Sequence, residues 1–96
     1  MKVRWTAEAL KDLDEIEDFI AIDNPERAVT FIEELLDFGD SLGNFAYKGA
    51  HAKWTKDSNI KECFYEEYTF IYEIDGDVVI IHEIHNFAKM MRHFNG

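Results

Sequence analysis

TAEALKDLDEIEDFIAIDNPERAVTFIEELL, residues 6–36, decides the fold of this chain. Leu10, Leu13, Ile16, Phe19 and Ile20 recur at threes and fours, so a helix over Ala7 to Ile22 gathers them on one stripe; Asp12, Asp14, Glu15, Glu17 and Asp18 fill the rest. Thr6 stands where a side-chain oxygen caps that helix. Asp23-Asn24-Pro25-Glu26 then interrupts it. Proline ends one helix and suits the first position of the next, Asn24 can cap that next helix, and Glu26 favours its positive end. The second helix carries Ala28, Phe31, Ile32, Leu35, Leu36 and Leu42 at the same spacing. Gly43 is placed to end it, and Gly39 marks a frayed last turn, since glycine inside a helix costs about 1 kcal/mol relative to alanine. The expected unit is a helix hairpin with an apolar side and an acidic back.

Working outward, Met1 to Thr6 reads as a short strand in which Val3 and Trp5 alternate with Lys2 and Arg4. Asn44 to Asn59 has no period and reads as a long surface connection with a short strand near Trp54. Three β-rich runs follow, Ile60 to Tyr65, Tyr68 to Ile74 and Asp77 to His85. Asp75-Gly76 signals a tight type I′ hairpin, and Glu66-Glu67 turns the preceding pair. Val78-Val79-Ile80-Ile81 is apolar on both faces, as in a strand inside a sheet. The predicted fold is α+β, with the order β-α-α-β-β-β. An N-terminal strand and a two-helix hairpin precede an antiparallel β meander, and Asn86 to Phe94 forms a short C-terminal helix or tail. The helices lie on one face of an antiparallel sheet, and residues 1–96 make a single domain.

Composition limits what such a domain can do. Twenty Asp and Glu against ten Lys and Arg leave a formal charge of -10, which repels phosphate backbones unless the bases are segregated. They partly are: residues 1–46 hold 12 acids and 4 bases, whereas residues 47–96 hold 8 acids, 6 bases and all four histidines. Any polyanion site is therefore expected in the second half. Cys63 is the only cysteine, which excludes an intramolecular disulfide and a multi-thiolate zinc site, so it reads as a strand residue. His82 and Glu83 diverge on a strand and no spacing gathers three ligands, so no metal and no cofactor is expected. No apolar run approaches the roughly 20 residues of a membrane span, and the start lacks the apolar core of a signal peptide, making the cytoplasm the expected compartment.

Residues 1–36 resemble the amino half of ParE-type toxins, a short strand followed by two helices joined at Asn-Pro. Further pieces continue the resemblance to the RelE/ParE superfamily in order: Ile60-Lys61-Glu62, Tyr68-Thr69-Phe70-Ile71-Tyr72, Asp75-Gly76-Asp77 and Ile84-His85-Asn86-Phe87-Ala88-Lys89. Lys61, Thr69 and Lys89 stand where that superfamily usually has arginines, so planar bidentate phosphate recognition is lost at all three.

The resemblance implies a toxin of a type II toxin-antitoxin system, silenced by a cognate antitoxin that folds onto it. A ParE-like toxin binds DNA gyrase and needs a complementary protein surface rather than an enzyme's acid and base. A RelE-like toxin is instead a ribosome-dependent mRNA endonuclease. His85, Lys89 and Lys61 would then be its catalytic residues, and Lys53, Lys56, Arg92 and His93 would touch the target or RNA. A third reading is a non-toxic binding module. The missing arginines and the net charge lean toward the gyrase reading, and direct DNA binding is not expected without the antitoxin. His82 and His85 fall on opposite faces of an ideal strand, so a bend is needed before both can serve one site. Tyr68 and Tyr72 read as packing residues.

Overall fold

The computed structural model describes residues 1–86. Its elements are β1 (Lys2–Trp5), α1 (Ala7–Asp23), α2 (Pro25–Phe45), a 3-10 turn (Ala46–Lys48), β2 (Ala50–His51), β3 (Ile60–Tyr65), β4 (Tyr68–Asp75) and β5 (Val78–Asn86). They build an α+β fold around one five-stranded sheet of order β1-β5-β4-β3-β2. β3 to β5 form the expected antiparallel meander, which the two-residue β2 extends, but β1 lies parallel to β5, with Lys2 opposite Val78 and Trp5 opposite Ile81, so the sheet is mixed rather than wholly antiparallel. The meander enters at the far edge and ends beside the first strand. Flanked on both sides, β5 is apolar through Val78–Ile81 because neither face of this stretch is left to water.

The hairpin forms for the local reasons its sequence carries. The Thr6 hydroxyl accepts from the Ala9 N–H at 3.1 Å, Asn24 Oδ1 accepts from the Arg27 N–H at 3.0 Å, and Pro25 opens α2. The buried face of α2 is Ala28, Phe31, Leu35, Gly39 and Leu42. α1 buries Ala9 and Leu13, half-buries Ile16 and Ile20, and leaves Leu10 and Phe19 exposed, so its core stripe is rotated from the expected one. Leu35 of α2 and Phe70, Tyr72, Ile81 and Val79 of the sheet are the largest fully buried side chains. Phe38 meets Phe70 edge-on at 4.9 Å between ring centroids and Tyr65 at 5.2 Å, a geometry that suits the ring quadrupoles.

Two glycines, one turn and the short strand of the long connection depart from the expectations, while Glu66-Glu67 turns β3 into β4 as expected. Gly39 and Gly43 neither fray nor end α2, which continues to Phe45. A Cβ on Gly39 would strike the Trp5 indole and one on Gly43 the Met1 carbonyl, so the pair lets β1 lie directly against the helix. That close approach is locked by the Trp5 indole N–H donating to Asp40 Oδ1 at 3.0 Å and the Met1 amino group donating to the Gly43 carbonyl at 2.8 Å. The loop between β4 and β5 is Gly76-Asp77 rather than Asp75-Gly76. Only its first residue has positive φ, at 61°, which matches type II′ and not type I′. Glu66, in the β3–β4 turn, takes φ 53° and is the only non-glycine with positive φ among the described residues. In the long connection the short strand is Ala50–His51, not a segment at Trp54. It ends the sheet because Gly49 has no side chain: the Tyr72 hydroxyl fills that space and donates to the Ala46 carbonyl at 2.6 Å. Burial pushes the Tyr72 phenol up to about 12, so it stays a donor.

Candidate functional site

The site is best traced along β5. Its register against β4 slips between Ile71 and Tyr72: Ile71 faces Glu83 while Tyr72 faces Ile81, so His82 is an extra residue, a β-bulge. The bulge supplies the bend that an ideal strand lacks. Glu73 points away from the helices because its neighbours Tyr72 and Ile74 point into the core, and His82 Nε2 meets Glu73 Oε1 at 2.8 Å. His85 pairs with Thr69 on that same face, opposite α1 and α2, and its Nε2 lies 3.2 Å from Glu83 Oε2. Two histidines of β5 are thus each paired with a glutamate, His82 across to β4 and His85 within its own strand, each carboxylate engaging an imidazole nitrogen. Thr69 is buried, paired with Phe64 of β3 on one side and His85 on the other.

α1 holds this end of β5 in place. β1 stops at Trp5, and the flank of β5 beyond it would otherwise show bare backbone groups. The Thr6 N–H donates to the Ile81 carbonyl and the Thr6 hydroxyl to the His82 carbonyl, each at 3.1 Å; Asp12 Oδ2 accepts from the Ile84 N–H at 2.9 Å. Desolvation raises the Asp12 carboxyl above its ordinary 3.8, with the Ile84 hydrogen bond opposing. In the sequence Asp12 is one acid among many on a polar helix face. Its role as an edge anchor depends on which strand lies beside α1, and no local signal carries that.

The sign of the Asp12 shift gives a test. A folded pKa above the unfolded one means the folded chain binds that proton more tightly, so Asp12 contributes least above its folded pKa and more as pH falls toward 3.8. Asp12→Asn keeps an acceptor for Ile84 and removes the desolvated charge. We expect a higher melting temperature than the parent at pH 7, with the difference shrinking toward pH 4. Asp12→Ala leaves the Ile84 N–H unpaired and is expected to lose about 1 kcal/mol by urea unfolding.

The other residues singled out in the sequence scatter. Lys61 faces Tyr72 across the β3–β4 ladder and so lies on the helix side of the sheet, the side opposite His85. Lys53 and Lys56 are exposed in the connection after β2. Lys89, Arg92 and His93 lie outside the described residues, as does the expected C-terminal helix or tail beyond Asn86. Among the described residues, no group of His, Cys, Asp and Glu side chains is arranged to hold a metal ion, and no helix is long and apolar enough to cross a membrane. Cys63 is mostly buried, and desolvation pushes its thiol up to about 12, so it is unreactive near neutrality.

A second feature lies where the hairpin meets the β3–β4 turn. A shallow cleft of about 230 Å³ is lined by the apolar Phe19, Ile20, Phe31 and Tyr68 together with Arg27, Glu66, Glu67 and Asn86. Arg27 lies 5.0 Å over the Phe31 ring and ion-pairs with Glu34, which also accepts from the Tyr65 hydroxyl at 2.7 Å. Those two donors, Arg27 first, hold the Glu34 carboxyl below its ordinary range. Sequence reading missed this cleft, because it joins both helices to the β3–β4 turn, β4 and the end of β5, segments distant along the chain.

With the hairpin, the meander and this geometry in hand, comparison with known proteins is decisive. Residues 3–86 match the family described as the ParE toxin of the type II toxin-antitoxin system parDE. The chain belongs to the ParE toxin family. A comparison with curated proteins returns no match. Among solved structures, this ParE-family chain is similar to the chromosomal ParDE system of P. aeruginosa, at TM-score 0.76 and 22% identity over 90% of this chain and 95% of that one. It is also similar to the RelBE2 toxin-antitoxin complex of Mycobacterium tuberculosis, at TM-score 0.66 and 19% identity over 88% of each chain. A third likeness is to the RelB-RelE complex of Methanococcus jannaschii, at TM-score 0.52 and 19% identity over 95% and 98%. At these identities the structural likeness establishes a shared fold.

Proposed function

We propose that this ParE-family chain is the toxin of a type II pair, acting by binding DNA gyrase and silenced by a cognate antitoxin. The observation that carries the choice of target is the dispersal of the nuclease candidates. Lys61 and His85 lie on opposite faces of the sheet, and the nearest partners of His82 and His85 are glutamates rather than cations that would neutralise a scissile phosphate. A protein inhibitor needs no such convergence, and its acidic charge is no obstacle. Purified gyrase with relaxed plasmid tests the reading: supercoiling is expected to fall as the chain approaches stoichiometry with gyrase, and full supercoiling at saturating protein would reject it.

The hairpin suggests how the antitoxin recognises this toxin. Phe19 is 60% exposed, Ile22 79% and Val29 54%, and exposed Glu15, Asp18, Asp23 and Glu26 surround them. An apolar strip edged with carboxylates fits an amphipathic segment rich in Lys and Arg. A strongly acidic binding segment in the product of the adjacent reading frame would count against this.

A further inference from the structure

The charge of this chain is segregated more sharply than its halves suggest. Residues 45–61 carry Lys48, Lys53, Lys56 and Lys61 against Asp57 alone, whereas residues 62–86 carry seven acids and no lysine or arginine. The same short segment shows three large aromatic rings to water: Tyr47 is 71% exposed, Trp54 66% and Phe45 49%. Lys48 Nζ sits 4.9 Å over the Phe45 ring, and neither Lys53 nor Lys56 has a carboxylate partner among the described residues.

These residues share one edge of the molecule. Phe45, Tyr47 and Lys48 lead into β2, and Lys53, Trp54 and Lys56 follow directly after it; β2 is two residues long and closes the sheet. The loop after β2 is an ordered platform. The Ala52 N–H donates to the Ile60 carbonyl at 3.1 Å, the Thr55 N–H to the Ala52 carbonyl at 3.3 Å, and the Asn59 N–H to Asp57 Oδ1 at 2.9 Å. Ala46 and Ala52 anchor the two flanks in the core. With this loop held in place, Trp54 within it, Phe45 at the end of α2 and Tyr47 in the 3-10 turn expose apolar surface without an internal use.

Unpaired lysines interleaved with exposed rings are the chemistry that recognises unstacked bases on a phosphate backbone, the cations tracking the phosphates and the rings stacking on base faces. We infer that the β2 edge, from Phe45 to Lys56, binds single-stranded nucleic acid without sequence preference. Duplex DNA is a poor fit, since its bases offer no free faces and its dense charge is repelled by the acidic remainder of the chain. A toxin of net charge -10 would by this edge acquire one oriented contact with a nucleic-acid-bearing target.

Fluorescence anisotropy with labelled 12-residue oligo(dT), oligo(U) and a 12-base-pair duplex, using the full chain, tests the inference. Saturable binding of one or both single strands is expected at 50 mM salt, with the duplex at least tenfold weaker; the two single-strand arms tell DNA from RNA. With three lysines on phosphates the salt slope is about -2, so affinity should fall roughly tenfold to twentyfold by 200 mM. Lys53→Glu with Lys56→Glu is expected to weaken binding more than tenfold. Trp54→Ala should weaken it at least fivefold, while Trp54→Phe, which keeps a ring, should retain most of it. All these positions are exposed, and an unchanged melting curve verifies folding. No saturation below about 100 µM oligonucleotide, indifference to the charge reversal, or equal competition by a poly-glutamate peptide overturns the inference, the last by assigning the edge to acidic protein segments. Gyrase inhibition is read in a separate reaction, so inhibition without oligonucleotide binding discards this inference alone.

Discussion

Gly49→Ala is expected to lower stability by about 3 kcal/mol, and Tyr72→Phe in the same chain to return at least 1 kcal/mol of that loss. The space a Cβ would occupy at Gly49 is filled by the Tyr72 hydroxyl, and the ring carbon bearing it lies close behind. Tyr72 cannot retreat, because it is fully buried among Ala46, Phe70 and the underside of α2. Overpacking of this kind costs about 1–3 kcal/mol. Displacing the hydroxyl from the Ala46 carbonyl adds about 1 kcal/mol for the lost bond. Tyr72→Phe alone should lose about 1 kcal/mol for the same reason. In the double variant the methyl has part of the hydroxyl's space, so the two changes together cost less than their sum. Urea unfolding of the four proteins at constant m-value measures the cycle. A Gly49→Ala chain within 0.5 kcal/mol of the parent, or strictly additive losses, would show that the contact is not tight.

Gly39→Ala should destabilise by about 2 kcal/mol, against the usual direction for a glycine inside a helix. Helix propensity alone favours alanine by about 1 kcal/mol. Here the added methyl meets the Trp5 indole, with Ile81 next to it. The indole is held on its other sides, edge-on to Phe70 at 6.3 Å and bonded to Asp40, so it moves only with β1. Losing that packing and the indole hydrogen bond outweighs the gain in propensity. A rise in stability would mean that propensity wins and that β1 is free to shift away from α2. Because β1 flanks β5 up to the bulge, the expected loss should also raise amide exchange at Ile81 and His82 relative to Phe31 in α2.

The two glycine experiments bear on the reading of function, since both probe how the sheet edges are set. β1 and α1 together fix the bulged end of β5, where the two histidine–glutamate pairs stand. The Gly49–Tyr72 contact fixes the opposite edge, from which the lysines and aromatic rings of the β2 region project. The helix hairpin presents a third surface, apolar and acidic. One small domain therefore offers chemically distinct faces, as the proposed toxin would need in order to meet both a target and a neutralising partner.

Much of this was written locally. Thr6, Asn24 and Pro25 act on their own backbone neighbours, so both helix starts are legible from residues one to four positions apart. The three meander strands follow from period, β-branched content and turn residues in the same way. The charge division is likewise a property of the string alone, as is the resemblance carried by the order of motifs. What the string does not hold is any quantity set by residues that meet only after the chain has closed. β1 lies parallel beside β5, Asp12 holds the strand flank past it, and the bulge at His82 turns two histidines to one face; each depends on partners 70 or more residues apart or on a register slip between strands. Gly39, Gly43 and Gly49 make the same point, because a glycine read locally is a flexible residue or a stop, and only the packed neighbour shows that its missing Cβ is space already taken. Short-range hydrogen bonding and periodicity thus determined the elements, while steric exclusion and edge satisfaction between distant segments decided how they sit and which side chains share a face.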